Sequence, residues 1–453
     1  MNLNKYAILV LMTLIGLFGA AIFLLVEKDI ALSYSIVLNL VIAFYLLSRY
    51  SPDTTRIKLS FIYLLGFSLF ICGRFFANIL GVDETFCFDF GYKYCLNQNE
   101  TLYSFLLINS SLLFFLLGYL STSVRKENFK IKASYFNINI LYFYLLLGVL
   151  AGVYTSFGTI ESIFKAITSG YLSLYSGQVD EYSSPVDLIV MVFFNATVAL
   201  GFSFKEKINI KLFYFILFIF LFNLIVSVFS GSRANFVSAL LVILWFMLGE
   251  KKVGFKNIII TTLLILSVFL TNSIASISGA RGASDDSSGF YTKVVEEIFY
   301  NQGITMMVFN MGVLENDYPL LAYIKTIIPG SQIIYSWFSP VFQYDLSFSQ
   351  HLMYKLSPSL FYEGYGLAWS LLGDFYAFSF GLIFLFFFYN YIWGKLVYFV
   401  SSGYGVNFFY NGLYFCFLIS IFILSRFSIS SFLVLIIFYF LMHKSIKFKW
   451  GKV

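Results

Sequence analysis

The sequence predicts an all-α protein that crosses a membrane many times, and three observations predict it. First, 60% of the 453 residues are hydrophobic and only 11% are charged, whereas a soluble domain carries about 25% charged residues. Second, apolar runs of about 17–25 residues, each long enough to span a bilayer, recur along the whole chain. Third, the charges divide unequally between the two sides that such runs define. Lipid offers backbone N–H and C=O groups no water, so the runs are expected as internally hydrogen-bonded helices. The net charge of +6 is then a matter of topology, and it does not point to nucleic acid.

The pattern predicts about twelve spans, at 7–26, 30–48, 59–80, 101–122, 137–156, 186–204, 212–230, 234–249, 257–277, 366–389, 404–424 and 428–443. The first, AILVLMTLIGLFGAAIFLLV, is followed by Glu27 and lacks a small-residue cleavage site. It reads as a retained span. With the N-terminus in the cytoplasm, the inner side holds 19 basic and 4 acidic residues and the outer side 10 basic and 19 acidic. Lysine and arginine favour the cytoplasmic side, so an even number of spans with both termini cytoplasmic fits. Omitting one span would scramble the asymmetry.

Two connections are long, 157–185 and 278–365, and both then lie outside. The larger is too long for a plain loop. Its stretches YTKVVEEIFYNQGITMMVFNMGVLEN and YPLLAYIKTIIPGSQIIYSWFSP predict two or three short helices lying at the membrane surface, or else an extra pair of spans. The chain thus divides into a bundle of nine spans (1–277), an outer loop (278–365), and three closing spans with a basic cytoplasmic tail (366–453). Cys87 and Cys95 share the outer stretch CFDFGYKYC, where an oxidising exterior permits a disulfide. The cysteines suggest no metal site, and no cofactor motif is found.

Candidate functional residues are charges placed where topology alone would not put them. Of seven arginines, Arg74, Arg233, Arg281 and Arg426 fall on the outward side, against the usual bias. SRANFVSALLVILWFML (232–248) and SRFSISSFLVLIIFYFL (425–441) both begin Ser-Arg and descend as apolar helices. The serine could cap each helix, and the free N–H groups at each mouth could receive an anion. Each arginine could instead reach a lipid phosphate. In SPSLFYEGYGLAWSLLGDFYAFSFG, Glu363 and Asp374 are eleven residues apart and would face one side of a continuous helix. An ionisable group inside a span is costly and suggests function, although Asp374 could simply hold Arg74 or Arg426. Glu363, or else His351 in SFSQHLMYKL, could serve as a general base. In the other outer connection, Tyr171, Tyr175 and Tyr182 beside Asp180 and Glu181 form an aromatic, polar surface suited to stacking sugars. Aromatic residues also line membrane interfaces in general.

The order of parts resembles a known family. A many-span bundle leads to the GSR junction at 231–233, a descending helix, a further span and a large outer loop. SPSLFYEGYGLAWSLLGDFYAF follows, and then a closing helix pair with Arg426 at its outer turn. This layout resembles the bacterial oligosaccharide repeat-unit polymerases of the O-antigen polymerase (Wzy) type, with a multispan fold like that of GT-C glycosyltransferases. The resemblance implies an enzyme of the bacterial cytoplasmic membrane that works on its outer face with polyprenyl-pyrophosphate-linked oligosaccharides. It implies that the growing glycan moves from its lipid carrier to the sugar of an incoming unit, without a cofactor. Arg233, Arg281 and Arg426 would neutralise the pyrophosphate, Glu363 or His351 would take the acceptor proton, and Arg74 and Asp374 would order the pocket. Membrane lipids, and a chain-length regulator and a flippase of the same pathway, are the implied partners. Related glycan ligases share the layout, and a lipid-linked oligosaccharide flippase or other transporter is the further alternative.

Overall fold

The structure is a computed structural model that describes residues 3–50, 58–121, 136–169, 185–230, 233–248, 290–328 and 330–447. Helix accounts for nearly all of it. The exception is a two-stranded antiparallel hairpin, β1 (Cys87–Asp89) and β2 (Lys93–Cys95), closed by a Cys87–Cys95 disulfide.

The first half runs through α1 (Leu3–Val26), α2 (Ile30–Tyr50), α3 (Leu59–Gly66), α4 (Gly73–Ile79), α5 (Gln98–Ser121), α6 (Ile138–Ser169), α7 (Pro185–Ser203), α8 (Ile210–Val226) and α9 (Arg233–Leu248). Short helices follow: α10 (Phe290–Val295), α11 (Ile304–Leu314), α12 (Leu320–Ile327), α13 (Ser331–Tyr335), α14 (Phe348–Leu356), α15 (Pro358–Tyr362) and α16 (Leu371–Phe378). The chain closes with α17 (Ile383–Gly403), α18 (Phe408–Ser420) and α19 (Ser430–Lys447).

Among the described residues, seven helices are long and apolar enough to cross a membrane, and eight if α3 and α4 count as one bent span. The count of about twelve is therefore not met by helix length. At about 1.5 Å per residue, α8, α9 and α18, with 17, 16 and 13 residues, fall short of a bilayer core about 30 Å thick. The expected span at 257–277 lies outside the described residues.

The closing region differs from expectation in register. The expected span 366–389 is broken at 379–382, where Phe380 (φ 51°) and Gly381 (φ 77°) are left-handed, a region that ends a right-handed helix. The spanning helix is α17, which takes the end of that expected span together with 390–403, the stretch expected as an inner loop. Glu363 and Asp374 do not share a helix face either, because Glu363 ends α15 and residues 365–370 are not helical.

The segment expected as an outer loop is also not simply a set of surface helices. Residues 305–313 of α11 are all buried. They pack on α16, α5 and the bent element formed by α3 and α4. Elsewhere the bundle is held by close backbone approach and by buried amides. Gly118 of α5 faces the Tyr391 carbonyl of α17, and Gly394 faces the Phe115 carbonyl in return, with no room for a Cβ at either. Small residues let membrane helices touch in this way. Asn39 Nδ2 donates to Asn109 Oδ1 (2.8 Å) and to the Met12 carbonyl (3.1 Å), tying α1, α2 and α5 together inside the core.

Candidate functional site

The bent element creates the first wall. After α3 the backbone widens into a π turn at Phe67–Ile71, then turns by 63° into α4. Such widened turns interrupt the hydrogen-bond ladder and often mark functional positions. The bend receives the outer segment through glycine. A Cβ on Gly73 would stand 2.6 Å from the Phe299 carbonyl oxygen, and one on Gly303 would stand 2.6 Å from the Arg74 nitrogen. Residues 296–303 therefore rest directly on the bend.

Arg74 lies in the first turn of α4 and is 1% exposed. Its Nη1 donates to the carbonyls of Thr85 (2.6 Å) and Cys87 (2.8 Å), and its guanidinium stacks 3.5 Å from the Tyr300 ring centroid. Tyr300 Oη donates to the same Cys87 carbonyl (3.1 Å). Charge-assisted bonds of this kind are about twice as strong as neutral ones, so Arg74 anchors the hairpin to the bend.

Arg426 closes the second wall. It follows the 3₁₀ turn Ile423–Ser425, and its Nη1 donates to Gln302 Oε1. Its guanidinium carbon lies 5.5 Å from the Phe70 ring centroid, within the π turn. Gln302 is buried, and its Nε2 donates to the Glu297 carbonyl (3.4 Å). Arg74 and Arg426 thus grip neighbouring residues, Tyr300 and Gln302, of one segment, 296–303.

Asp374, on α16, is 0% exposed and lies on the far side of the Arg426 turn. Its Oδ2 accepts from the Ile429 backbone N–H (2.6 Å), and its Oδ1 accepts from Ser428 Oγ (3.1 Å) and Trp369 Nε1 (2.8 Å). The carboxylate therefore sits at the N-terminus of α19, where the helix dipole favours negative charge. The serine expected as a cap at the second Ser-Arg pair, Ser425, precedes that helix by several residues. Asp374 takes the capping part instead.

His351 lies on α14, half-buried, with Nδ1 3.4 Å from Asp345 Oδ1. That distance is long for a hydrogen bond, and the contact is an ion pair only when the imidazole is protonated. Burial and the nearby Lys355 ammonium push the imidazole below its usual range, against the opposing pull of Asp345. His351 connects to the Arg426 turn through aromatic contacts. Its ring lies 6.0 Å from Tyr318, and Tyr318 lies 5.8 Å from Trp369, the donor to Asp374. Glu363 is exposed at the end of α15. Its carboxylate has no hydrogen bond or ion pair among the described residues.

Arg233 begins α9, beyond which nothing is described of its side chain. Ser238 Oγ donates to the Ile419 carbonyl of α18 (2.7 Å), which brings the start of α9 to the same end of the bundle as Arg426. Arg281, Tyr171, Tyr175 and Tyr182 lie outside the described residues. No group of three His, Cys, Asp or Glu side chains gathers as metal ligands among the described residues. Sequence reasoning missed Tyr300, Gln302 and Trp369. The signal for the first two was faint: a polar YNQG interruption (300–303) just before a buried apolar helix.

The class defined by this architecture is a polytopic membrane protein with a polar, arginine-bearing site at one end of its bundle. The chain matches the family model described as O-antigen polysaccharide polymerase Wzy over residues 6–443, and it belongs to that family. It is accordingly a glycosyltransferase that polymerises lipid-linked oligosaccharide repeat units at the membrane, which sets the ligase and flippase readings aside. No curated protein and no solved structure matches the chain.

Proposed function

We propose that polymerisation takes place on the outer face of the bacterial cytoplasmic membrane, in the space bounded by the α3–α4 bend, segment 296–303, α16 and the turn at 423–429. The observation that carries this reading is the convergence of Arg74 and Arg426 on one outer segment, through Tyr300 and Gln302. The charge asymmetry supports cytoplasmic termini. The Cys87–Cys95 disulfide, held by Arg74, supports an oxidising outer side for the same end of the bundle. The shorter helices α8, α9 and α18, together with 257–277, would bring the spans to about twelve. Residues 1–277 and 366–453 then form the bundle, and 278–365 the outer part.

In this site a hydroxyl oxygen of the acceptor sugar attacks the anomeric carbon of the donor. The new C–O bond forms as the bond from that carbon to the pyrophosphate oxygen breaks, and polyprenyl pyrophosphate leaves with the bonding pair. Arg426, with Arg233 and Arg281, offsets the charge that appears on the leaving oxygen. Stabilising developing charge is usually the largest catalytic contribution, and the planar guanidinium matches phosphate geometry. The acceptor proton passes to His351, which is neutral and backed by Asp345, or to the open carboxylate of Glu363. Arg74 and Asp374 order the walls. Tyr171, Tyr175 and Tyr182 contact sugar from the other outer connection. A chain-length regulator and a flippase of the same pathway are the protein partners.

The face is tested with Ser359→Cys, an exposed position one turn before Glu363. The native Cys72 and Cys416 are buried, and Cys87 is bonded to Cys95, so the new thiol reports alone. Reaction with a membrane-impermeant maleimide in intact spheroplasts is expected. Reaction only after lysis would place this face in the cytoplasm and contradict the proposal.

A further inference from the structure

Beyond the arginine walls, the outer segment carries an ordered group of aromatic rings that no part of the reading above uses. Tyr344 and Tyr354 stack with ring centroids 4.0 Å apart and planes within 9°. Phe342 continues the stack at 5.3 Å and 6°. Tyr362 stands perpendicular to Tyr354, at 6.2 Å and 90°. Buried Phe361 forms the floor, 5.7 Å from Tyr354 and 5.5 Å from Tyr362. Phe342 is 51% exposed and Tyr362 54%, so the two ends of the group are open.

Its rim is polar. Asp345 follows Tyr344 and Glu363 follows Tyr362. This distinguishes it from the neighbouring surface of Ile327, Ile328, Ile334, Trp337 and Phe338, which is also exposed but almost wholly apolar and suits a lipid interface. The group is also built together with the candidate base. Tyr354 and His351 are three residues apart on α14, and a separation of three puts side chains on one helix face about 5–6 Å apart at Cβ. The adjacent residues Tyr344 and Asp345 meet them in order, Tyr344 on Tyr354 and Asp345 on His351.

We infer that the two open rings, Phe342 and Tyr362, held in place by Tyr344 and Tyr354, form the subsite for the acceptor sugar, placing its hydroxyl beside His351. A pyranose has an apolar face of C–H groups and a rim of hydroxyls. An aromatic ring matches the face, and tyrosine hydroxyls and carboxylates match the rim. Rings held by one another are pre-organised, so little side-chain entropy is lost on binding. The hairpin supports the subsite from behind, since Gly91 at its tip packs on Ser357 and Leu360. The inference rests on the polymerase site proposed above and names its acceptor side.

The test uses the full-length protein in nanodiscs and two surface variants, Phe342→Leu and Tyr362→Leu, with Tyr362→Trp as the aromatic control. The probe is the lipid-free oligosaccharide released by mild acid from the host's own lipid-linked repeat units, observed by saturation-transfer NMR. Polymerisation of the intact lipid-linked units is followed in parallel. The expected result is a loss of saturation transfer and a rise of about tenfold in acceptor KM in the leucine variants, as expected for losing ring contacts. The value of kcat should change little, and tryptophan should restore binding. Leucine variants that bind and polymerise like the wild type would overturn the inference. So would variants that lose polymerisation while binding the oligosaccharide normally, because leucine keeps an apolar membrane contact and the rings would then serve lipid or packing. Leucine variants that lose oligosaccharide binding yet polymerise with wild-type kinetics would leave a sugar site standing but overturn its place beside the polymerase site.

Discussion

The two Ser-Arg junctions of the bundle are closed in different ways. At the first, α8 passes through a 3₁₀ turn at Ser227–Ser230, and α9 begins at Arg233 itself. The turn is braced locally, by Asn235 Nδ2 donating to Ser227 Oγ (3.2 Å). At the second, the 3₁₀ turn Ile423–Ser425 is followed by four non-helical residues before α19 begins at Ser430. That gap is spanned from a distant part of the chain by Asp374. Consequently the mouth of α19 is already filled by a protein carboxyl group, that of Asp374. An anionic substrate at this junction has to be met by the Arg426 side chain and not by the helix mouth, whereas at the first junction the arginine belongs to the first turn of its helix.

Three changes sharpen this comparison, from the largest expected effect to the smallest. Asp374→Ala strands the buried Trp369 Nε1 and the partly buried Ile429 N–H. Each unsatisfied buried group costs about 1–3 kcal/mol, so the detergent-solubilised protein should lose about 2–4 kcal/mol of stability, read as a lower melting temperature. An unchanged melt would mean the second junction does not depend on the carboxylate. Gln302→Leu removes the acceptor that holds Arg426 and should lower polymerisation about tenfold with protein level unchanged, since misplacing a charge-stabilising group by about an ångström is costly. Full activity would detach Arg426 from the outer segment. Asn235→Ala removes a single partly buried hydrogen bond at the first junction, worth about 1 kcal/mol. Its melting temperature should fall by only a few degrees, and a fall as large as that of Asp374→Ala would erase the asymmetry.

Much of this organisation was legible in the residues. Long apolar runs announce α1, α2, α5, α7 and α19 because a bilayer demands about twenty of them in succession. The paired cysteines of CFDFGYKYC permitted a disulfide without deciding it, and the structure forms it. Three things were hidden. Phe380 and Gly381 break a run that is uninterrupted in hydropathy, because a left-handed backbone leaves no polar mark. The sequence MMVFNMGVL reads equally as a surface or a buried helix, since its apolar residues go all round and give no face. Gln302 and Tyr300 meet the two arginines only by lying on the α3–α4 bend, and that contact is set by two glycines, Gly73 and Gly303, more than two hundred positions apart in the chain. The candidate charges were easier. Arg74, Arg426 and Asp374 stood out as ionisable groups in apolar surroundings, and the fold brings them to one place. Their individual partners followed from tertiary structure alone.

The central claim is that Arg426 acts on the pyrophosphate directly while the rest of its junction is held by Asp374. The measurement that tests it most directly is turnover of lipid-linked repeat units by purified Arg426→Lys protein, with Arg233→Lys alongside. The account predicts a loss of about a hundredfold or more in kcat for Arg426→Lys, the size seen when one charge-stabilising donor is removed, with the melting temperature close to that of the wild type. Wild-type turnover by Arg426→Lys would contradict it.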